Sequence, residues 1–166
     1  MVATAPISEE EYLRTHFESP EPDYVEGQLI QRPIPDAFHS ATQVNLLDAF
    51  KPWQDIGELF RLISIRLRVL PKRFRVADFA LFTSKPAQGI LESLPYAVVE
   101  IVSPDESFDE LTDKLHDYEE AGVEFLFVAD PPKSKLFRYR HGDLHSVSAL
   151  ELPSFRAAIP VSAIFG

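Results

Sequence analysis

The chain contains no cysteine, so disulfides and thiolate metal sites are excluded and the redox compartment is left open. It has no apolar run of the length needed to cross a bilayer. Its first residues, "MVATAPISEEE", lack the basic start and apolar core of a secretory signal. A cytoplasmic location without a membrane partner is the expectation. Basic residues are the scarcer sign, 16 Lys and Arg against 26 Asp and Glu, for a formal net charge of −10. That balance disfavours non-specific affinity for nucleic acid, which lysine and arginine drive through phosphate contacts. Glycine is also sparse, six against fourteen prolines, which argues for many short elements with sharp turns and against a helical bundle.

What is present fits one folded unit over residues 1–166, with 45% hydrophobic and 25% charged residues. Ser8 and Glu11 have capping-box spacing, predicting a short helix over 9–17 that "SPEP" breaks. "DYVEGQLIQR" reads as two short strands or one bent at Gly27. Asp36 can cap a helix over 37–50 whose apolar stripe is Ala37, Ala41, Val44 and Leu47; a mixed stripe of His39, Gln43, Leu46 and Phe50 lies on another side. "GELFRLISIRLRVL" alternates, with Ile63, Ile65, Leu67 and Val69 on one face. "FRVADFALF" and "YAVVEIVS" read as buried strands separated by a loop over 83–95. An amphipathic helix ending at Gly122 and the strand "VEFLFVAD" follow, implying a right-handed parallel crossover. A hairpin turns at Gly142-Asp143, and the apolar tail from 152 has no assigned place. The fold class expected is α/β, a mixed sheet flanked by helices.

Two strands carry a carboxylate in apolar surroundings, Asp78 in "FRVADFALF" and Glu100 in "VVEIVSP". Removing a carboxylate from water costs several kcal/mol unless it is compensated. A shifted pKa, a buried basic partner or a metal ion would each serve. Two acids converging on adjacent strands repel, and a divalent cation removes the repulsion while supplying an electrophile. With oxygen ligands, Mg²⁺ or Mn²⁺ is favoured over zinc. Lys114 borders the buried stripe of the next helix and follows the Glu100 strand by one short connection, so it can reach back to the sheet end. Its bland alternative is a surface pair with Glu110, worth about a few tenths of a kcal/mol. Arg66, Arg68, Lys72 and Arg73 belong to a basic strip over 61–75 that either meets a polyanion or simply protects a strand edge.

An acid on one strand, an acid in an E-x-V strand and then a helical lysine resemble the PD-(D/E)XK nuclease superfamily in its migrated-lysine form. More specifically, "SEEEYL", "DYVEGQLIQR", "FHSATQ", "RFRVADFALF", "VVEIVSP" and "DELTDKLHDYEEAGVEFLFVADP" are together similar to the Uma family of restriction-endonuclease-like proteins. The resemblance implies a restriction-endonuclease-like core and metal-dependent hydrolysis of DNA phosphodiester bonds. It implies Asp78 and Glu100 as metal acids, aided by the Ile101 carbonyl, with Lys114 orienting the attacking water. Glu26 matches an acidic position before the family's glycine, and either it or Asp23 would add a further acid. His39 matches a histidine at the start of the second helix. Val102 stands where the superfamily has its usual lysine and Ala77 where it has proline. The strip of Arg66, Arg68, Lys72 and Arg73 would guide the DNA backbone, and a homodimer would suit two-strand cleavage. The missing lysine at 102 and the acidic balance favour an alternative, a catalytically inactive nucleic-acid-binding or assembly module. A hydrolase of smaller phosphoesters is a third reading.

Overall fold

Ser8 Oγ accepts the Glu11 amide at 3.1 Å and starts helix α1 (Glu9–Arg14), shorter than the sequence predicts. These coordinates come from a computed structural model that describes residues 5–87, 89 and 93–166. Strands β1 (Asp23–Val25) and β2 (Gln28–Ile30) form a hairpin whose two-residue turn, Glu26-Gly27, has both φ values positive. Such turns match the right-handed twist of the strands they join. Asp36 accepts the His39 amide at 2.8 Å and caps α2 (Ala37–Ala49), which runs on into a short α3 (Lys51–Asp55) that the sequence reading did not anticipate.

Strands β3 (Phe60–Leu70), β4 (Arg73–Phe82) and β5 (Ala97–Ile101) are antiparallel neighbours. The predicted loop over 83–95 falls partly outside the described residues. Ser107 and Glu110 form a capping box that opens α4 (Phe108–Ala121), and β6 (Phe125–Asp130) returns parallel to β5. Strands β7 (Lys135–Arg140) and β8 (Asp143–Val147) complete the sheet in the order β2-β1-β4-β5-β6-β7-β8, with β3 on the other edge of β4. Arg140 pairs with Asp143, so the turn is His141-Gly142, one residue earlier than predicted. The unplaced tail supplies β10 (Ala157–Pro160), which pairs with β9 (Ala149–Leu152) just before it, and a last helix, α5 (Val161–Phe165).

Alternation along the strands divides the core in two. Phe79, Leu81, Val99 and Phe127 point to the side of α2 and the tail, packing with Leu46, Phe50, Leu150 and Ile164. Ala80, Val98 and Val128 point to α4 and pack with Leu111, Leu115 and Tyr118. Helix α2 carries the two stripes read from the sequence. Its mixed stripe is the seated one, with His39, Thr42 and Leu46 buried, whereas Ala37, Ala41 and Val44 face solvent. The cause is area: Leu46 and Phe50 bury far more apolar surface than two alanines, and turning them inward carries His39 and Gln43 to Asp78.

Candidate active site

Along one edge β4 pairs with β3. Along the other, β1 takes Arg73 and Phe74 while β5 takes Phe79 to Leu81. Between them, Arg75 to Asp78 have no strand partner on that edge among the described residues. The sheet is open there, and side chains close it. Asp23 accepts the Val76 amide at 2.8 Å, and Asp78 Oδ2 accepts the Ile101 amide at 2.8 Å. Extending the β4–β5 register one step past Phe79↔Val99 sets Asp78 opposite Glu100. Across the other edge Ser64, with φ of 48°, falls out of the ladder between Ile63↔Phe79 and Ile65↔Ala77. The Gln43 amide then donates to the Asp78 carbonyl at 2.9 Å. Backbone polar groups buried without partners are costly, and both strand irregularities are answered by a nearby side chain.

Asp78 Oδ1 accepts from Arg32 Nη2 at 2.6 Å and lies 3.2 Å from His39 Nε2. Burial alone would push this carboxyl up; the His39 hydrogen bond and the charges of Lys114 and Arg32 outweigh it and hold Asp78 well below the usual range. The Arg32 guanidinium is buried too, and the charges of Asp78, Asp23 and Glu100 together secure its proton against that burial. His39 Nδ1 has no hydrogen-bond partner among the described residues.

Glu100 is held from α4. Lys114 Nζ donates to Oε2 at 2.8 Å and the Tyr118 hydroxyl donates to Oε1 at 2.9 Å. Burial pushes the Glu100 carboxyl up despite Lys114, and the neighbouring Asp78 charge adds to the push. Burial would strip Lys114 of its proton, but the charges of Glu100, Asp23 and Asp78 together more than offset this and raise its pKa. The pair is therefore a buried, proton-retentive unit. Losing one partner of such a pair costs about 3–5 kcal/mol.

The opening in the sheet leads into a cleft of about 470 Å³ whose lining includes Asp23, Arg32, His39, Asp78, Ile101 and Lys114. The family model described as "Uma2: Putative restriction endonuclease" matches residues 9–163. The chain belongs to the Uma2 family. Its fold is similar to a solved structure titled as a putative nuclease belonging to DUF820 from Anabaena variabilis, with a TM-score of 0.82, 22% sequence identity, and coverage of 96% of this chain and 98% of that one. A comparison with curated proteins finds no match.

Within this Uma2 fold Asp78, Ile101, Lys114 and His39 come together at the cleft, with Glu100 directly behind Lys114. Glu26 does not join them. It sits on the β1–β2 turn, its side chain 67% exposed and 3.6 Å from Arg73, because a two-residue turn carries it past the strand end. Asp23, the other acid weighed for this place, lines the cleft. The basic strip is largely committed within the chain. Arg66 pairs with Glu21 at 3.0 Å and lies over the Tyr12 ring; Arg68 pairs with Glu9 over Phe74; Arg73 pairs with Asp117 at 2.8 Å. Lys72 is exposed on the β3–β4 turn with a φ of 58°. The strip thus reads as structural pairing of α1 and α4 onto β3 and β4.

Arg32 and Tyr118 are site residues that the sequence reading missed; Gln43 belongs to the mixed stripe that it shares with His39. Arg32 follows β2 in a proline-flanked segment with no periodicity to orient it, and its partner is 46 residues away. Tyr118 lies on the apolar stripe of α4, and its spacing of four from Lys114 places both on one helical face.

Proposed function

We propose that this Uma2 protein is a metal-dependent endonuclease that hydrolyses DNA phosphodiester bonds. The observation that carries the reading is the pair of buried carboxylates where the β4–β5 pairing ends, Asp78 near enough for its charge to act on Glu100, with Lys114 2.8 Å from Glu100. The family description and the fold neighbour's title support the same class.

The donor set suits a hard cation: the two carboxylates and the main-chain oxygen of Ile101 offer oxygen alone. No group of three or more His, Asp or Glu is placed to hold a cation together among the described residues, so such a site would rely on main-chain oxygen and water as well. Bound Mg²⁺ or Mn²⁺ would supply electrophilic activation and charge neutralisation at the phosphate. The chain's own groups do the rest. Lys114, fixed by Glu100, has ammonium protons left to orient the attacking water, and Arg32 has guanidinium donors left for a phosphate oxygen. Water attacks phosphorus, the bond to the leaving oxygen breaks, and that oxygen leaves with a proton.

The test is cleavage of plasmid and oligonucleotide DNA in Mn²⁺ by wild type, Asp78→Asn and Glu100→Gln. Both variants should lose cleavage at least about a hundredfold while remaining folded. Cleavage by either variant at the wild-type rate ends the proposal. A second reading, a non-catalytic module, is favoured by one observation: Asp78 is already balanced by Arg32 and Glu100 by Lys114.

A further inference from the structure

Asp78 has little acceptor capacity left over. Its Oδ1 takes the Arg32 Nη2 donor at 2.6 Å with His39 Nε2 3.2 Å away, and its Oδ2 takes the Ile101 amide at 2.8 Å. A carboxylate offers about four acceptor positions over its two oxygens, so Oδ1 is filled. A cation arriving at Asp78 meets a guanidinium charge already seated on that carboxylate. Like charges a few ångströms apart repel strongly where water is scarce.

Of the three donors, Arg32 is the one placed to leave. The Ile101 amide is main chain of β5, and His39 stands in the first turn of α2, which Asp36 caps. Arg32 lies instead in residues 31–36, which form neither helix nor strand. Its other hydrogen bond among the described residues, to the Glu21 carbonyl, is stretched to 3.5 Å. The Arg32 side chain is 11% exposed, against 7% for His39 and 5% for Asp78. It already lines the 470 Å³ cleft, so rotation about its side-chain bonds carries the guanidinium into open volume. Lys114, by contrast, is rooted in α4 and shares Glu100 with Tyr118.

We propose that Arg32 is a built-in competitor for the cation site: it neutralises Asp78 before metal binds and swings into the cleft when a divalent ion takes that carboxylate. This rests on reading Asp78 and Glu100 as acids of a metal site, though not on DNA cleavage. Both acids can then be paired in the resting chain and still serve a metal. Arg32 also links the two ligands of the site. Metal frees its donors for a phosphate oxygen, and a phosphate that holds Arg32 leaves Asp78 to the metal, so each favours the other.

Calorimetric titration with Mn²⁺ at neutral pH tests this on wild type, Arg32→Gln, Arg32→Lys and Lys51→Gln. Arg32→Gln should bind Mn²⁺ at least about tenfold tighter, because a site open in a small fraction of molecules loses apparent affinity by that fraction. Arg32→Lys, which keeps the charge on a shorter stem, should fall between the two. Lys51→Gln, which removes an exposed cation of α3 outside the cleft lining, should match wild type. A second measurement uses wild type alone: the guanidinium NMR signal of Arg32, assigned by its loss in Arg32→Lys, should move as Mg²⁺ is added. Arg32→Gln binding Mn²⁺ no tighter than wild type overturns the proposal and leaves the metal reading standing. So does an Arg32 signal unmoved at saturating Mg²⁺, or an equal gain in Lys51→Gln. No divalent binding by any of the four proteins removes the metal reading and this proposal together. Tighter binding by Arg32→Gln, with DNA left intact by wild type in Mn²⁺, removes the nuclease reading alone.

Discussion

The Asp78 carboxylate reaches across the open edge of β4 to accept a hydrogen bond from the Ile101 amide at 2.8 Å. It stands in for the backbone partner that β1 and β5 leave missing between them. Its second oxygen meanwhile holds Arg32 and His39, which arrive from two other segments. One side chain thus both ends a strand pairing and gathers the cleft.

Replacing Asp78 should therefore separate chemistry from folding. Asp78→Asn keeps an oxygen for the Ile101 amide and should cost about 2 kcal/mol in urea unfolding; Asp78→Ala strands both that amide and Arg32 and should cost about 3–5 kcal/mol. Asp78 is held below its unfolded value, so its contribution is complete above about pH 4 and is lost as pH falls toward the lower folded value. Stability curves from pH 6 to pH 2 should show a shallower acid limb in Asp78→Asn than in wild type.

Lys114→Met should be more damaging at high pH than at low pH. Without the ammonium, Glu100 is a buried acid whose raised pKa climbs further, and such a group favours the folded state below its unfolded pKa of about 4.3 and loses that contribution as pH rises through the folded one. The expected loss is about 3 kcal/mol at pH 8, shrinking towards pH 5, as read by chemical denaturation across that range.

Divalent metal should stabilise the protein by about 2.7 kcal/mol at a hundred times its dissociation constant. Thermal melts in Mn²⁺ check this, and Asp78→Asn should abolish the shift. Binding needs an ionised Glu100, whose pKa is raised, so the dissociation constant should fall as pH rises. No shift with any divalent ion would favour the non-catalytic module.

Asp117 holds Arg73 at 2.8 Å and Arg75 at 2.6 Å, with its side chain 1% exposed. Asp117→Ala leaves Arg75 with its Asp23 contact at 3.3 Å and should cost about 3–5 kcal/mol. Glu26→Ala, on an exposed turn, should change stability by less than about 0.5 kcal/mol. Parallel urea melts compare the two.

The buried acids Asp78 and Glu100 and the lysine that meets Glu100 were legible because strand and helix periodicities are short-range signals: an acid inside a β-branched run and a lysine bordering an apolar stripe are visible within ten residues. The order of the main strands followed for the same reason. What stayed hidden depends on pairings distant in sequence. Arg66 and Arg68 look like a free cationic face until Glu21 and Glu9 fold over them, 45 and 59 residues away. The apolar period of helix α2 does not mark its seat, because its alanines complete a period while contributing little area. The tail could not be placed because its partners lie in α2: Asn45 donates to the Ile164 carbonyl at 2.9 Å, 119 residues on.

That last bond has a bearing on biosynthesis. The helix bearing His39 and Gln43 rests on Leu150, Leu152, Ile159 and Ile164, which leave the ribosome long after it does. Until they emerge α2 has only sheet residues such as Phe79, Leu81 and Phe127 to pack on, so the wall of the cleft that carries His39 and Gln43 gains its full support after every acid and the lysine are already in the nascent chain.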